Sequence, residues 1–275
     1  MNRAMQCESL LRSLCDHATG IDRTVVIARA TSSLHQEAYA KLTAEHPECQ
    51  IVDDVRGCSV HLAQVLANGT DHVSLAVDDQ LFYRSSDFSM AARELDNANG
   101  FVWSWRLGEK LGTTQTRNGA FWQCSPRIDD ADYGYLFHSD GAVFRANEYM
   151  ALLDLFLPGW RDNALIPNNL EGHVAACQHQ WRMSVGPHLG PLKPTCITWQ
   201  INKESTTREY GAPWVTIPET ELDTLAQAFL AGKRVDNQAL YADLSWVTRF
   251  QKAGDGPTHI SACVEASRFY AGMIR

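Results

Sequence analysis

The chain has no excess of basic residues. It contains 24 lysines and arginines against 32 aspartates and glutamates, which gives a net charge of −8 at pH 7. A protein that binds nucleic acid without sequence specificity normally carries a basic excess that neutralises phosphates. The charge balance therefore argues against that class of protein, although it leaves a local basic patch open.

Long apolar runs and closely spaced cysteines are also missing. No segment approaches the roughly 20 consecutive apolar residues that span a bilayer, and Met1–Glu8 lacks the apolar stretch of a signal peptide. The eight cysteines are scattered without a C-x-x-C spacing, and reduced thiols are the default for such a chain. These absences predict a soluble, cytoplasmic protein without disulfides.

Two nucleotide-binding signatures do not occur. The sequence has neither G-x-G-x-x-G nor G-x-x-x-x-G-K-[ST], which argues against a Rossmann dehydrogenase and against a P-loop enzyme. The 275 residues, of which 45% are hydrophobic and 20% charged, have the composition of an ordinary globular protein. No repeat or linker divides them, so we expect a single domain over residues 1–275.

The first half of the chain alternates helix-like and strand-like segments. Apolar spacing and capping residues predict helices over residues 3–17, 33–46, 58–67 and 87–98. Short apolar runs predict buried strands at residues 24–28, 50–52, 72–77 and 101–107. Such alternation indicates βαβ units, and so an α/β fold with a mostly parallel sheet flanked by helices. The second half is irregular, with helices expected at 219–231 and from about 258.

Asp78 and Asp79 directly follow one of the predicted buried strands. In parallel sheets, ligands lie beyond the carboxyl ends of the strands. Adjacent carboxylates there repel each other and lose solvation, and a divalent cation would relieve that repulsion and bridge to phosphates. The ordinary alternative is a solvated turn at the end of a strand.

Two further acidic residues and two arginines are candidates for a site. Asp140–Gly141 interrupts an aromatic-rich run, although on its own it indicates a hairpin turn. Glu171 follows the polar pair Asn168–Asn169 and can accept a proton from a substrate hydroxyl, unless it only stabilises the start of a helix. Arg106 and Arg145 can bind a diphosphate with two hydrogen bonds each, or form surface salt bridges instead.

Taken in order, these segments resemble the GT-A glycosyltransferases that use nucleotide sugars, close to a family-2-like bacterial group. The resemblance covers roughly residues 3–240, and its specificity comes from the order and spacing of short motifs. The matching residues are Arg3–Gln6, Leu10–Leu14, Val77–Asp79, Arg106–Gly108, Asp132–Tyr135, Asp140–Gly141, Phe144–Arg145, Asn168–Gly172, Asn202–Lys203 and Phe229–Asp236.

The resemblance implies a Rossmann-like GT-A fold in one domain. Residues 1–108 would form the nucleotide-sugar half, residues 109–240 the acceptor half, and residues 241–275 a helical tail. The implied reaction moves a sugar from a nucleotide diphosphate sugar to the hydroxyl group of a glycan or small molecule, with inversion at the anomeric carbon.

The resemblance also implies roles for individual residues. The donor-site residues that it indicates are Arg3, Asp78, Asp79, Gln80, Arg106 and Arg145. The acidic motif Asp78–Asp79 would position the sugar diphosphate through Mn²⁺ or Mg²⁺. Glu171 would be the general base, and Asp140 would hold the acceptor or the donor sugar in the same pocket.

The chain departs from the family pattern at two places. The family commonly has a third aspartate, often the direct metal ligand, where this chain has Gln80, and a neutral carbonyl oxygen binds divalent cations more weakly. Members of the family also begin with a β-strand, and in this chain Met1 falls where that strand should already have ended. We therefore expect either a start upstream of Met1 or a form without that strand.

Several alternatives remain open beside this interpretation. One is a non-catalytic relative with the same fold that binds a glycan or serves as a partner subunit. Another is a glycosyltransferase that acts on hydroxymethylated DNA bases, which the acidic balance disfavours. A zinc site at His173, Cys177 and His179 lacks an obvious fourth ligand.

Overall fold

The computed structural model describes residues 2–109, 115–127, 133–165, 167–199, 217–250, 259–260 and 264–275. These residues form a mixed α/β structure, in agreement with the class predicted from the alternating pattern. Asp132 and Asn202–Lys203, which contribute to the resemblance, lie outside the described residues.

The four helices predicted in the first half are confirmed, each to within one residue at either end. Ser32 begins the second of them, because its side chain accepts a hydrogen bond from the backbone N–H of His35. The described helices are α1 (Ala4–His17), α2 (Ser33–Glu45), α3 (Cys58–Ala67), α4 (Phe88–Asn97), α5 (Ala146–Phe156), α6 (Pro167–Ala176), α7 (Gln178–Trp181), α8 (Leu222–Leu230), α9 (Asn237–Ala242), α10 (Ser245–Phe250) and α11 (Val264–Gly272), with a 3₁₀ turn over Pro218–Thr220.

The predicted strands are also present, although two of them are shorter than expected. The described strands are β1 (Ala18–Thr19), β2 (Thr24–Ala28), β3 (Cys49–Asp53), β4 (His72–Leu75), β5 (Gln80–Phe82), β6 (Ser86–Asp87), β7 (Val102–Ser104), β8 (Thr116–Asn118), β9 (Phe121–Cys124), β10 (Ala142–Arg145), β11 (His188–Pro191), β12 (Cys196–Trp199) and β13 (His259–Ile260). The run predicted at 72–77 ends at Leu75, which leaves Val77 in the turn that carries the acidic pair.

The largest described sheet is mixed, which corrects the expectation of a mostly parallel sheet. Its strands have the order β4-β10-β7-β11-β9-β8, and β10 runs antiparallel to both β4 and β7. Of the pairs in this sheet, β7 with β11 is parallel. β2 and β3 also pair in parallel, in a separate two-stranded sheet. The alternation of helices and strands in the first half of the chain does not predict the direction of β10, because β10 belongs to the second half.

The direction of β10 decides which residues meet at the end of β4. In the register of this pair, Ala142 lies opposite Leu75 and Arg145 lies opposite His72. Asp140–Gly141 therefore enters the sheet at the end where β4 leaves it toward the acidic pair. The turn is tied down on its other side, because the Trp105 backbone N–H donates to the Gly141 carbonyl at 2.9 Å.

Two hydrophobic clusters hold the segments that carry the candidate residues. The first cluster packs Met5 of α1 against Leu42 of α2, Leu81 of β5 and Phe229 of α8, and so fixes the start of α1. The second cluster includes Leu170 and Val174 of α6, the neighbours of Glu171 on that helix. Among the described residues, no helix combines the length and the apolar composition that crossing a bilayer requires.

We predict that Gly141→Ala destabilises the fold more than a matched glycine substitution. Gly141 has φ +64°, and a Cβ atom there would lie 2.7 Å from Cys196 Sγ. Gly69 also has positive φ, +76°, but nothing lies within 4 Å of its Cβ position. Urea unfolding should show a loss of about 1 kcal/mol for Gly69→Ala and at least about 2 kcal/mol for Gly141→Ala. Equal losses would show that Cys196 does not constrain this turn.

Candidate functional site

The acidic pair lies in the turn between β4 and β5 and shares one cation. The guanidinium Nη1 of Arg3 donates to Asp78 Oδ1 at 2.7 Å and approaches Asp79 Oδ2 at 3.4 Å. The side chains of Arg3 and Asp79 are each 11% exposed, and that of Asp78 is 24% exposed. A single nitrogen therefore bridges two adjacent carboxylates that are largely removed from water.

The backbone of Arg3 is anchored on both sides. Its N–H donates to the Tyr39 hydroxyl at 3.1 Å, and its carbonyl accepts from the Cys7 N–H at 2.9 Å. The preceding Asn2 N–H donates to the Arg29 carbonyl at 2.9 Å. Because α1 also packs into the first hydrophobic cluster, the guanidinium is positioned for the acidic pair by the fold itself.

Asp79 is in an environment that disfavours its charged form. Burial raises the pKa of Asp79 from its usual 3.8 to about 7, aided by the charges of Asp78 and Asp140 and opposed by Arg3. The contribution of Asp140 shows that the turn before β10 lies within electrostatic reach of the pair. The β10 register, which brings this turn to the end of β4, accounts for that proximity.

Glu171 is held on α6 by hydrogen bonds from a segment more than 30 residues earlier in the chain. Its Oε1 accepts from the Tyr135 hydroxyl at 2.8 Å, and its Oε2 accepts from both the backbone N–H and the hydroxyl of Ser139. Burial and the charge of Asp140 raise the pKa of Glu171, whereas the hydrogen bonds from Ser139 and Tyr135 oppose that rise. The hydrogen bonds therefore orient the carboxylate, and its raised pKa makes it a stronger proton acceptor.

Asp140 connects the two parts of the site. Its charge raises the pKa of Asp79 and also that of Glu171, so both carboxylates lie near it. The predicted residues Arg3, Asp78, Asp79, Asp140 and Glu171 thus belong to one acidic region. We call these five residues the acidic site.

Arg106 lies in the protein interior beside two histidines. Arg106 is 7% exposed. Burial, together with the charge of Arg106, lowers the pKa of His138 well below its usual value and that of His188 to about 4. Burial raises the pKa of the Cys196 thiol, and Arg106 opposes that rise. Arg106 therefore lies within electrostatic reach of His138, His188 and Cys196.

The structure places two predicted donor-site residues in other roles. The buried Gln80 accepts a hydrogen bond from the Val77 N–H at 3.1 Å through Oε1, and its Nε2 lies 3.4 Å from Thr198 Oγ1. Its amide thus closes the turn and ties it to β12. The local sequence did not predict these hydrogen bonds, because a glutamine directly after two aspartates suggests a third oxygen ligand for a metal ion.

Arg145, which was also predicted as a donor-site residue, lies at the opposite end of β10 from Asp140. The antiparallel course of β10 carries it to the beginning of β4, opposite His72. There its guanidinium binds Glu148 Oε1 at 2.7 Å and donates to the Leu95 carbonyl at 2.9 Å. Three residues along a strand amount to about 10 Å, which separates Arg145 from the turn that holds Asp140.

Sequence reasoning missed Ser139 and Tyr135 as the residues that hold Glu171. Tyr135 belongs to a motif that the resemblance singled out, and Ser139 directly precedes Asp140, so proximity to known motifs was the available signal. Their hydrogen bonds span 36 and 32 residues of sequence. No local pattern encodes contacts at that separation.

Two groups of side chains could hold a metal ion. Asp78 and Asp79 supply carboxylate oxygens, the ligands that Mg²⁺ and Mn²⁺ prefer. Within the part of the chain that the structure describes, three ligand atoms lie within 4.8 Å of one another at His46, Glu48 and Cys49. His46 Nδ1 lies within hydrogen-bond distance of Glu48 Oε1 there, at 3.0 Å. The zinc alternative at residues 173–179 is not among the groups found in the described residues.

Comparison with known proteins adds no relative to this picture. The chain matches no protein-family model and no curated protein. Support for a function therefore comes from the charges, hydrogen bonds and burial of the acidic site.

We predict that Asp79→Asn stabilises the fold at pH 8. The pKa of Asp79 is about 7 in the folded chain and near 3.8 when unfolded. The stability penalty of its ionisation is therefore absent below pH 4, grows between pH 4 and 7, and is complete above pH 7. Removing the charge should increase the free energy of unfolding by on the order of 2 kcal/mol at pH 8.

Urea unfolding with EDTA present, at pH 8 and pH 5, checks this prediction. The advantage of Asp79→Asn should shrink on acidification. Asp22→Asn is the control, because Asp22 is exposed and its substitution should have little effect at either pH. A variant less stable than the parent at pH 8 would mean that the ion pair with Arg3 outweighs burial and repulsion.

Proposed function

We propose that the chain is a glycosyltransferase that moves a sugar from a nucleotide diphosphate sugar to a hydroxyl acceptor, with Glu171 as general base. The observation that carries this proposal is that the charge of Asp140 acts on both Asp79 and Glu171. One region therefore contains a candidate diphosphate anchor and a candidate base.

Glu171 has the properties that a general base requires. Its raised pKa lies closer to working pH than that of an ordinary glutamate, which strengthens it as a proton acceptor. The hydrogen bonds from Tyr135 and Ser139 fix both carboxylate oxygens, so little reorganisation is needed before reaction. Oε2 accepts two hydrogen bonds from Ser139, whereas Oε1 accepts one from Tyr135 and keeps a second lone pair that can take the acceptor proton.

The acidic pair and Arg3 are the donor side of the proposal. The two carboxylates would hold Mn²⁺ or Mg²⁺, and Gln80 contributes little because its amide already binds Val77 and Thr198. A bound cation would supply neutralisation of the departing diphosphate. Arg3 offers a second positive charge at the same place, fixed by the fold.

The proposed reaction is a single displacement with inversion. The acceptor oxygen forms a bond to the anomeric carbon while the bond from that carbon to the diphosphate oxygen breaks. The acceptor proton passes to Glu171, and the nucleoside diphosphate leaves with the bonding electron pair. Because the charge of Asp140 acts on both Asp79 and Glu171, a hydroxyl of either sugar could donate to it. Nucleotide sugars and reduced cysteines both fit a cytoplasmic location, which is part of the proposal.

A second candidate is a non-catalytic protein that binds a glycan or a partner through the same site. The hydrogen bonds that engage Gln80 favour it, because they occupy the amide at the position where the family commonly has its third aspartate. A glycosyltransferase acting on hydroxymethylated DNA bases is a further form of the proposal, which the net charge of −8 disfavours.

We predict that one nucleoside diphosphate stabilises the chain against heat. The measurement is a thermal-shift panel of UDP, GDP, CDP, ADP and dTDP, each with Mn²⁺ or with EDTA. A ligand at 100 times its Kd that binds only the folded chain adds about 2.7 kcal/mol, which gives a clear shift. No shift with any nucleotide would favour the non-catalytic candidate.

We predict that Glu171→Gln abolishes transfer and leaves nucleotide binding intact, because it removes the proton acceptor but keeps the size of the side chain. With water as the acceptor, release of the diphosphate from the matching nucleotide sugar should fall by about 10²-fold or more. Glu148→Gln, on α5 and paired with Arg145, is the control and should keep its rate. Equal loss of binding and release in Glu171→Gln would assign the residue a structural role.

A further inference from the structure

We infer that His46, Glu48, Cys49 and Cys15 form a zinc site that joins the end of α1 to the turn between α2 and β3. The ligand is a single Zn²⁺ ion, bound by one imidazole, one carboxylate and two thiolates, and its role is to stabilise the fold. Cys15 lies about 18 Å along the axis of α1 from Arg3, so this site is separate from the acidic site and independent of the proposed function. We call these four residues the zinc site.

The turn that follows α2 brings three of the ligand atoms together. A ring nitrogen of His46, a carboxylate oxygen of Glu48 and the sulfur of Cys49 all lie within 4.8 Å of one another. The Cys49 N–H donates to the His46 carbonyl at 3.0 Å, which closes the turn. His46 follows α2 directly and donates its own N–H to the Leu42 carbonyl, and Cys49 begins β3 opposite Thr24 of β2. Regular structure therefore fixes both ends of the turn.

The spacing of these atoms is close to that of the ligands around a tetrahedral zinc ion. With Zn–N, Zn–O and Zn–S bonds of about 2.0, 2.1 and 2.3 Å, the nitrogen lies about 3.4 Å and the sulfur about 3.6 Å from the ligating oxygen. In the structure, Glu48 Oε1 lies 3.0 Å from His46 Nδ1 and 3.8 Å from Cys49 Sγ. Shifts of a few tenths of an ångström therefore convert this cluster into three zinc ligands.

Cys15 supplies the fourth ligand from α1. Cys7, Leu11 and Cys15 are spaced four residues apart, so they lie along one face of that helix. Cys7 and Leu11 belong to the first hydrophobic cluster and Cys49 packs against it, so this face is directed toward the beginning of β3. Burial and the charge of Glu48 raise the pKa of Cys15, and burial, Glu48 and Cys15 raise the pKa of Cys49 to about 11. The Cys15 thiol is therefore within electrostatic reach of the other ligands.

The chemistry of these side chains selects zinc over the ions that prefer oxygen. Thiolate and imidazole are ligands of Zn²⁺, whereas Mg²⁺ and Ca²⁺ take carboxylate, carbonyl and water oxygens. Four protein ligands are typical of a structural zinc site. Each thiol releases its proton to solvent as its sulfur forms a bond to the ion. Cys15 and Glu48 are exposed, which gives the ion a path of entry, whereas the His46 side chain is 12% exposed.

Titration of reduced, EDTA-treated protein with CoCl₂ tests the inference. Co²⁺ occupies zinc sites, and each bound thiolate gives a sulfur-to-cobalt charge-transfer absorption, which is lost when ZnCl₂ displaces the cobalt. We expect one Co²⁺ ion per chain with this absorption. Cys49→Ser and Cys15→Ser should each remove about half of the absorption and weaken Co²⁺ binding at least about tenfold, because the loss of an outer-shell partner alone costs about that much.

Three further variants locate the effect. His46→Gln and Glu48→Gln keep both thiolates, so they should retain the absorption at saturation but bind Co²⁺ at least about tenfold more weakly than the parent. Cys177→Ser is the matched control, because Cys177 is another half-buried thiol and packs against the second hydrophobic cluster. This variant should bind Co²⁺ as the parent does.

Thermal unfolding gives a second measurement that does not depend on cobalt. An ion that binds only the folded chain stabilises it, so ZnCl₂ should raise the melting temperature of the parent and of Cys177→Ser. It should not do so in the double variant Cys15→Ser with Cys49→Ser. The inference is overturned if the parent shows no thiolate absorption, if Cys15→Ser leaves the absorption unchanged, or if Cys177→Ser loses as much of it as Cys49→Ser.

Discussion

The carboxylates of Asp78 and Asp79, after the end of β4, are stabilised by the positive charge of Arg3, which the packing of α1 holds beside them. Arg3 reaches both Asp78 and Asp79 with one nitrogen. This is possible because α1 packs through Met5 into the first hydrophobic cluster, and because Tyr39 of α2 accepts from the Arg3 N–H. The ion pair in this largely buried turn therefore depends on the apolar packing that holds the start of α1.

The antiparallel strand β10 converts this ion pair into a larger site. By entering beside the end of β4, it brings Asp140 within electrostatic reach of Asp79 and places Ser139 against Glu171. The turn reaches this position through Gly141, which has a positive φ and lies close to Cys196. If β10 ran parallel to β4, the positively charged Arg145 would lie near the end of β4 in place of Asp140.

Sequence patterns predicted the elements well and the arrangement of the site in part. The helices follow from apolar spacing and caps such as Ser32, which are local properties of the chain. The positions of Asp78 and Asp79 after a strand, and of Arg3 before a helix, could be predicted because these residues adjoin such elements. Arg145 could not be placed, since strand direction depends on pairing with distant residues. The contact of Gln80 with Thr198 could not be predicted for a similar reason, because the two residues are 118 positions apart.

The charges of the acidic site constrain any ligand that it binds. Arg3 pairs with Asp78 and Asp79, and burial together with the charge of Asp140 raises the pKa values of both Asp79 and Glu171. A diphosphate would add negative charge to a region that already disfavours it. A cation bound together with the diphosphate would offset that repulsion.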